Sequence, residues 1–264
     1  MKHVLTIAGS DCSGGAGVQA DLKTMSAHRC FSMSVITAIT AQNTQAVNDV
    51  LDIPPAMIEA QIDAIFTDIR VDAVKIGMVS VSDSIRAIAD KLRQYTPPFV
   101  VVDPVMVSKS GYDLLRPEAA SALKELLLPL ATIVTPNVPE AEKLAGMSIR
   151  SEDDIKEAAQ RIYALGAKQV LIKGGHSDGQ PTDWLFDGQK FTAFPGKRID
   201  TPNTHGTGCT LSSAIASNLA LGHPVEQAVE LAKQYIQTAI EHSISLGHGH
   251  GPVNHFYEYY GGEC

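Results

Sequence analysis

A glycine-rich turn that runs directly into an apolar helix gives the clearest chemical signal in the sequence. The segment is HGTGCTLSSAIASNLALG, residues 205–222, and the turn itself contains Gly206, Thr207, Gly208 and Cys209. Amides at a helix N-terminus lack intrahelical acceptors and the helix dipole is positive there, so this turn predicts an anion hole. Fixed donors of this kind stabilise the charge of a phosphoryl group in transfer. The same spacing also fits a simple glycine-rich helix cap.

Cys209 is the candidate general base beside this anion hole. The helix dipole is expected to lower the pKa of its thiol, and the resulting thiolate could accept a proton from a substrate hydroxyl. A free cysteine is also a common small buried apolar residue. Only its position at the end of the turn favours the catalytic interpretation.

A second glycine-rich loop, AGSDCSGGAGVQADLKT, joins the first predicted strand to the next helix. Gly15, Gly17 and Ala20 match G-x-G-x-x-A, the weak form of the dinucleotide fingerprint. A dinucleotide site also needs an acidic residue at the end of the following strand, where this sequence has Gln42 and Asn43. We therefore interpret the loop as the lining of a compact ligand pocket, with an NAD-type oxidoreductase as the alternative.

Asp21 and Gln42 are the polar contacts expected in that pocket. A carboxamide such as Gln42 offers both a donor and an acceptor, which suits the edge of an amino-pyrimidine. Gln42 could equally cap a loop. The sequence contains no GxxxxGK[ST] motif, which disfavours a P-loop ATPase.

Charged and amide side chains follow three further predicted strands. These residues are Asp103 in VVDPVMVSKSG, Asn137 and Glu140 in TPNVPEAE, and Lys173 in LIKGGH. Ligands of open α/β sheets gather at the carboxyl ends of strands. Asp103 and Glu140 offer hard oxygen ligands for the Mg²⁺ that accompanies ATP, and Lys173 could neutralise phosphate charge.

Two other segments carry weaker signals. Residues 108–113, SKSGYD, have the polar and flexible composition of a lid that excludes water, although an ordinary exposed loop has the same composition. The tail HGHGPVNHF contains His248, His250 and His255 but no acidic or cysteine partner at ligand spacing, which disfavours a metal site there.

Elements of two kinds alternate along the chain and must position these residues. Short β-branched runs predict buried strands at 4–8, 34–40, 73–76, 99–103, 132–135 and 169–173. Amphipathic segments predict helices at 16–28, 56–69, 82–95, 118–128 and 151–165. Near-continuous apolar strands separated by helices are typical of a parallel sheet covered on both faces. We predict a doubly wound α/β sandwich.

The alternation of predicted strands and helices ends after the sixth predicted strand. Residues 183–194 place an Asp187-Gly188 pair between two apolar runs, which predicts an antiparallel hairpin at the edge of the sheet. Helical spacing returns at 208–221 and 225–246. The sequence shows no internal repeat and no long linker.

Bulk composition limits the class of protein. The chain has 264 residues, of which 44% are hydrophobic and 19% charged, and we expect residues 1–264 to form one globular domain. A net charge of -8 disfavours nucleic acid and anionic membranes as partners, so a small phosphate ligand is expected. The four scattered cysteines and the absence of a leader-like N-terminus or long apolar run predict a cytoplasmic protein.

With these residues assembled, the sequence resembles the hydroxymethylpyrimidine/phosphomethylpyrimidine kinase family of the ribokinase-like superfamily. The motifs that carry the resemblance appear in family order from end to end: IAGSDCSGGAGVQADLKT, TAITAQNT, KIGM, VVDPVMVSKSG, TPNVPEAE, KGGH, TDWLF, HGTGCTLSSAIA and GPVNHF. The resemblance implies a three-layer sandwich with a mainly parallel central sheet, usually dimeric. It also implies ATP-dependent phosphorylation of 4-amino-5-hydroxymethyl-2-methylpyrimidine and then of its monophosphate, in thiamine biosynthesis.

The resemblance assigns roles residue by residue. It implies that Cys209 is the catalytic base, where many ribokinase relatives have aspartate, and that Lys109 belongs to the lid. Lys173, Asn137 and Glu140 fall on the side of ATP and magnesium. Around the pyrimidine the resemblance places Gly9, Asp21, Gln42, Met78 and Val105, with Gln42 as the main specificity contact.

Two alternatives remain open within this interpretation. Some bacterial pyridoxal kinases resemble the same branch and share the cysteine at the anion hole, but they tend to carry a second cysteine in the lid, where this sequence has Ser108. Vitamin B6 phosphorylation, alone or as a second activity, is therefore the alternative substrate assignment. A non-catalytic ligand-binding protein could retain the same pocket.

The tail departs from the family pattern at Asn254, which replaces a histidine and weakens any metal-binding or catalytic role for that position.

Overall fold

The computed structural model describes residues 1–108, 111–116, 118–174 and 180–260. The strands are β1 (His3–Ala8), β2 (Phe31–Ile36), β3 (Ala38–Gln42), β4 (Val47–Asp52), β5 (Ala73–Ile76), β6 (Val100–Val102), β7 (Ile133–Val134), β8 (Val170–Ile172), β9 (Thr182–Phe186) and β10 (Phe191–Pro195). The helices are α1 (Gly17–Ala27), α2 (Pro55–Phe66), α3 (Ser82–Tyr95), α4 (Ala119–Ala122), α5 (Val138–Ala145), α6 (Glu152–Tyr163), α7 (Thr207–Leu221) and α8 (Val225–Glu241).

Within the described ranges, eight strands form the main sheet in the order β10-β9-β8-β7-β6-β5-β1-β2. The six strands from β2 to β8 in this order pair in parallel, and β9 and β10 add an antiparallel edge. β3 and β4 form a separate antiparallel pair. The predicted sandwich and the edge hairpin are confirmed.

Both faces of the parallel strands are buried, which explains their apolar runs. Val100 and Val102 pack with the layer of α2, α3 and α6, whereas Val101 between them packs with the layer of α7 and α8. Successive strand residues point to opposite faces, so the run Val100–Val102 contributes side chains to both hydrophobic cores. Because the six strands pair in parallel, their carboxyl ends all lie along one edge of the sheet.

Several predicted boundaries differ from the structure for local reasons. The single strand expected at 34–40 is two strands broken at Thr37, whose hydroxyl donates to the Met78 carbonyl at 2.7 Å and directs the chain out of the sheet. The helix expected at 118–128 is α4 followed by a π-helical turn, Leu123–Leu127. α8 ends at Glu241 rather than at 246, and β4 and α5 were not predicted. Among the described residues, no helix combines the length and the apolarity required to cross a bilayer.

Core burial predicts a contrast between two leucines. Leu5 on β1 is fully buried, whereas Leu246, which follows α8, is 52% exposed. Leu5→Ala should lower the free energy of unfolding by about 3 kcal/mol, because it removes buried methyl groups and leaves a cavity. Leu246→Ala, the matched control, should change it by less than about 0.5 kcal/mol. Urea denaturation measures both, and equal effects would contradict this assignment of the core.

Candidate active site

A cavity of about 670 Å³ opens at the carboxyl ends of the parallel strands. Its lining joins the first glycine-rich loop, the β3 strand end, the residues after β6 and β8, and the start of α7. Of the predicted site residues, the cavity is lined by Gly9, Gln42, Met78, Asp103, Val105, Asn137, Glu140, Lys173, Gly206, Thr207, Gly208 and Cys209. Residues far apart in sequence therefore share one wall.

The turn before α7 is shaped by a glycine that no other residue could replace without strain. Gly206 has φ +78°, and a Cβ there would overlap the Gly15 carbonyl. The first intrahelical bond runs from the Thr210 amide to the Gly206 carbonyl at 2.9 Å. The amides of residues 207–209 precede that bond and lie at the positive end of a 15-residue helix. The geometry fits the predicted anion hole.

Three charged side chains gather opposite this turn. Lys173 Nζ lies 2.7 Å from Asp103 Oδ1, and Asp103 also accepts from the hydroxyls of Thr135 and Ser212 at 3.2 and 3.3 Å. A methyl group on Gly208 would lie 3.4 Å from both Asp103 Oδ2 and Lys173 Nζ. Burial disfavours the Lys173 ammonium, but the neighbouring carboxylates of Asp103 and Glu140 outweigh it and raise the pKa of Lys173.

Glu140 is fixed at the N-terminus of α5 by a capping box. Its carboxylate accepts from the Asn137 amide at 2.8 Å, and the Asn137 side chain accepts from the Glu140 amide at 2.9 Å. Burial raises the pKa of Glu140 to about 7, and the negative charge of Asp103 acts in the same direction. Asn137 is thereby partly committed to the helix cap.

The remaining cavity wall is more apolar. Val105 and Met78 pack with Ala38 and Leu114, and a Cβ on Gly9 would approach Met78 Sδ to 3.0 Å, so Gly9 leaves space beside the sulfur. Gln42 lies at the end of β3, and its Nε2 is 3.4 Å from His205 Nε2. A flat ligand could stack against this wall with a polar edge at Gln42.

Three predictions need correction or lie outside the described residues. Asp21 is not on the cavity wall: it is fully buried below it, with its carboxylate paired to Lys75. The expected lowering of the Cys209 pKa is wrong, because burial raises the pKa of this thiol to about 11 and outweighs the positive charge of Lys75. Lys109 lies outside the described residues, as do parts of the predicted lid and of the KGGH motif.

The sequence alone indicated no role for a hydrogen-bonded pair, Asp11 and His205, that joins the two glycine-rich loops. His205 Nε2 lies 2.8 Å from Asp11 Oδ2, and Asp11 also accepts from the amides of Ser13 and Ala16 at 2.9 and 2.8 Å. Burial alone would raise the pKa of Asp11, but the bonds from His205 and Ser13 outweigh it and lower the pKa to about 2. An aspartate inside a glycine-rich loop and a histidine just before another were the available signals.

The C-terminal segment, residues 247–255, supports the same loops. The Gly249 amide donates to Thr44 Oγ1 and the Gly251 amide to Asn203 Oδ1, both at 3.1 Å. His205 donates its amide to the Gly251 carbonyl at 3.0 Å. His255 is buried with Nε2 3.1 Å from Thr210 Oγ1 on α7, and burial lowers its pKa to about 3. This histidine is therefore neutral and engaged with the helix.

The Asp11 carboxylate should make the stability of the protein depend on acidic pH. A pKa lowered in the folded state contributes stability above the unfolded-state pKa, and this contribution is lost as pH falls from about 4 through about 2. The difference in unfolding free energy between wild type and Asp11→Asn should shrink by about 2 kcal/mol over that window. Chemical denaturation at pH 5 and pH 2 measures it, and a constant difference would show that Asp11 carries no such charge.

Comparison with known proteins supports a kinase assignment of this cavity. The family described as phosphomethylpyrimidine kinase matches residues 11–254. The chain is 49% identical over 258 residues to a hydroxymethylpyrimidine/phosphomethylpyrimidine kinase of Bacillus subtilis, covering 97% of this chain and 95% of the relative. It is 54% identical over 253 residues to the thiamine biosynthesis bifunctional protein ThiED of Geobacter sulfurreducens, of which it spans 52%.

Solved structures agree with this result. A phosphomethylpyrimidine kinase from Clostridium difficile 630 superposes with a TM-score of 0.82 at 52% identity, over 91% of this chain and 100% of that one. A pyridoxal kinase of Bacillus subtilis, solved as an ADP complex, gives a TM-score of 0.90 at 43% identity over 97% of each chain. The ribokinase-like fold is confirmed. Since the family match extends over nearly all of the chain, from residue 11 to residue 254, this protein belongs to the phosphomethylpyrimidine kinase family.

Proposed function

We propose that this protein phosphorylates 4-amino-5-hydroxymethyl-2-methylpyrimidine with ATP and then converts the monophosphate to the diphosphate, in thiamine biosynthesis. The observation that carries the proposal is the convergence, in one cavity, of the turn before α7, the Cys209 thiol and the Asp103–Lys173 pair. The names of the relatives support the substrate class.

Phosphoryl transfer in this cavity depends mainly on positioned charge. The amides of Gly208 and Cys209 donate to the oxygens of the transferring group, and that of Thr207 joins them if it leaves the Thr204 carbonyl, to which it donates at 3.4 Å. Lys173 faces the same region with its ammonium. Cys209, at the end of the turn, accepts the proton that the attacking hydroxyl releases. With a pKa near 11 the thiol is protonated in the resting protein at neutral pH, so proton transfer requires the small thiolate fraction.

Magnesium is proposed as the cation that accompanies ATP. Asp103 and Glu140 present carboxylates to the cavity, and Mg²⁺ commonly takes one or two carboxylates together with phosphate oxygens and water. The described residues contain no group of three His, Cys, Asp or Glu side chains suited to a resident metal, which is consistent with an ion that arrives with the nucleotide. Such an ion supplies positive charge against the phosphates.

Gln42 and the apolar wall are proposed to select the pyrimidine. The carboxamide of Gln42 recognises the donor and acceptor edge of the ring, and Gly9, Met78 and Val105 enclose its faces. Pyridoxal is the second candidate substrate, favoured by the 0.91 TM-score to a Staphylococcus aureus pyridoxal kinase solved with AMP-PCP and pyridoxal. Both rings are flat, which is compatible with one pocket shape.

Assembly and location complete the proposal. We propose that residues 1–264 form one domain that acts as a homodimer in the cytoplasm. The separate β3–β4 pair supports the dimer, because Ile39 and Leu51 lie directly opposite each other there with 50% and 65% of their surface exposed. Apolar pairs on a projecting ribbon are typical of contact surfaces between chains.

One turnover assay tests the substrate assignment. The protein with ATP and Mg²⁺ should convert the hydroxymethylpyrimidine to its monophosphate and diphosphate, and should phosphorylate pyridoxal more slowly. Phosphorus NMR or chromatography separates the products. Phosphorylation of pyridoxal alone would overturn the substrate assignment, and binding of the pyrimidine without consumption of ATP would indicate a non-catalytic protein.

Loss of the proposed base should mainly lower turnover. Cys209→Ala should reduce kcat by roughly 10²-fold with little change in KM, because the cavity keeps its shape but loses the proton acceptor. In the wild type, kcat should still rise at pH 9, since the thiol pKa is raised to about 11, and this rise should vanish in the variant. Cys30→Ala is the matched control, because Cys30 is buried in the core beside α7. Unchanged turnover in Cys209→Ala would remove the residue from this role.

A further inference from the structure

Four elements meet at one buried carboxylate beneath the turn before α7. Asp21 on α1 is fully buried, and Lys75 on β5 donates to both of its oxygens at 2.8 Å. The hydroxyl of Thr6 on β1 donates to Oδ2 at 2.6 Å, and that of Ser213 on α7 to Oδ1 at 2.7 Å. We call this group of four side chains the Asp21 cluster.

The Asp21 cluster lies one helical turn below the Cys209 thiol. Cys209 and Ser213 are four residues apart on α7, as Gly17 and Asp21 are on α1, so each pair shares one face of its helix. The Gly17 amide donates toward the thiol, while Ser213 bonds Asp21. The two helices are thus joined at two levels, with the thiol above and the ion pair below.

Close approach of α1 is built into the backbone. Gly17 has φ +56°, and a Cβ there would lie 2.5 Å from the Gly9 carbonyl, so this position requires glycine. On the strand side, a Cβ on Gly77 would lie 2.7 Å from Lys75 Nζ. Gly17 therefore lets the start of α1 approach the first glycine-rich loop, and Gly77 leaves room for the Lys75 ammonium.

The charges around Cys209 act in opposite directions. Lys75 lies on β5 and favours the thiolate, whereas Asp21 on α1 and Asp103 after β6 oppose it. Lys173, after β8, lies close to the start of α7, because a Cβ on Gly208 would be 3.4 Å from its Nζ, and Cys209 is among the groups that raise the pKa of that lysine. Of these groups, Lys75 makes the largest opposing contribution to the effect of burial.

We propose that Lys75 and Asp21 are positioning residues for Cys209: the Ser213–Asp21 bond fixes the first turns of α7, and the paired charges one helical turn below the thiol govern its reactivity. The cluster thereby sets both the place and the reactivity of the thiol. Its catalytic meaning rests on the proposed function, in which Cys209 accepts the proton. The effect on the thiol itself does not depend on any substrate.

A purely structural ion pair would behave differently when it is broken. Removing either partner leaves the other buried without its counter-charge, which destabilises the fold in both cases. If the pair only held the fold together, both single variants would loosen the site and expose the thiol. If the charges act on the thiol, the two variants must change its reactivity in opposite directions.

Alkylation of Cys209 by iodoacetamide in the full chain tests this difference, since only the thiolate reacts. Mass spectrometry of the peptide that contains residue 209 separates it from the exposed Cys12. At pH 8, Asp21→Asn should accelerate alkylation by roughly threefold to tenfold, and Lys75→Met should slow it by a similar factor. Acceleration in both variants, or no change in either, would overturn the proposal.

Ser213→Ala keeps both charges and tests the positioning role if a charge variant fails to fold. It should lower kcat by roughly fivefold at nearly constant KM, while the alkylation rate at pH 8 stays within about twofold of wild type. An unchanged kcat, or a large change in alkylation, would contradict the proposed role of the Ser213–Asp21 bond. Failure of the protein to phosphorylate any pyrimidine would leave the alkylation results intact, so the two proposals fail separately.

Discussion

The pairing of a carboxylate that has no access to water is the constraint on which this structure depends. A buried charge is tolerated only when opposite charge and hydrogen-bond donors surround it. Asp21 obtains them from β1, β5 and α7 at once. Each donor can reach it only if its element is correctly placed, so the position of α7 relative to the sheet is over-determined. The turn that begins α7 therefore projects into the cavity from a rigid base.

The charge of the protein as a whole is opposite to the charge that a phosphate-binding cavity requires. Its overall net charge is -8, yet the cavity is proposed to hold a nucleotide and a phosphorylated product. Local groups supply the attraction: backbone amides at the start of α7 and the ammonium of Lys173. Asp103 holds that lysine in place. The Asp11–His205 pair joins the two glycine-rich loops within the cavity lining. Under the proposed function, anion binding therefore depends on a few residues of the cavity and not on the net charge of the surface.

Sequence patterns predicted elements well where one chemical period dominated. The helix Ser82–Tyr95 was predicted to the residue, because its apolar positions repeat regularly and its ends are polar. The break at Thr37 was not predictable, since it depends on a bond to the distant Met78 carbonyl. The strand end that carries Asp103 was located to within one residue, because β-branched runs mark buried parallel strands.

The residues that line the cavity were more predictable than their electrostatics. Glycine-rich turns and strand ends indicated residues that share one cavity wall, but they could not show that Asp21 faces Lys75 below it. A lysine inside the apolar strand Ala73–Ile76 was a usable signal, because a buried ammonium needs a carboxylate partner. The pKa of Cys209 depends on burial by several elements, which a helix-dipole argument from local sequence does not include.

The contacts of residues 247–255 determine which parts of the fold can form first during synthesis. The loops that they support begin near residues 44 and 203, so these contacts can form only after at least 44 further residues have been added to the second of them. A nascent chain on the ribosome can form the parallel strands early. The His205 amide, however, has no Gly251 carbonyl to donate to until residues 247–255 emerge. The cavity wall before α7 is therefore expected to be completed only after the parallel strands have assembled.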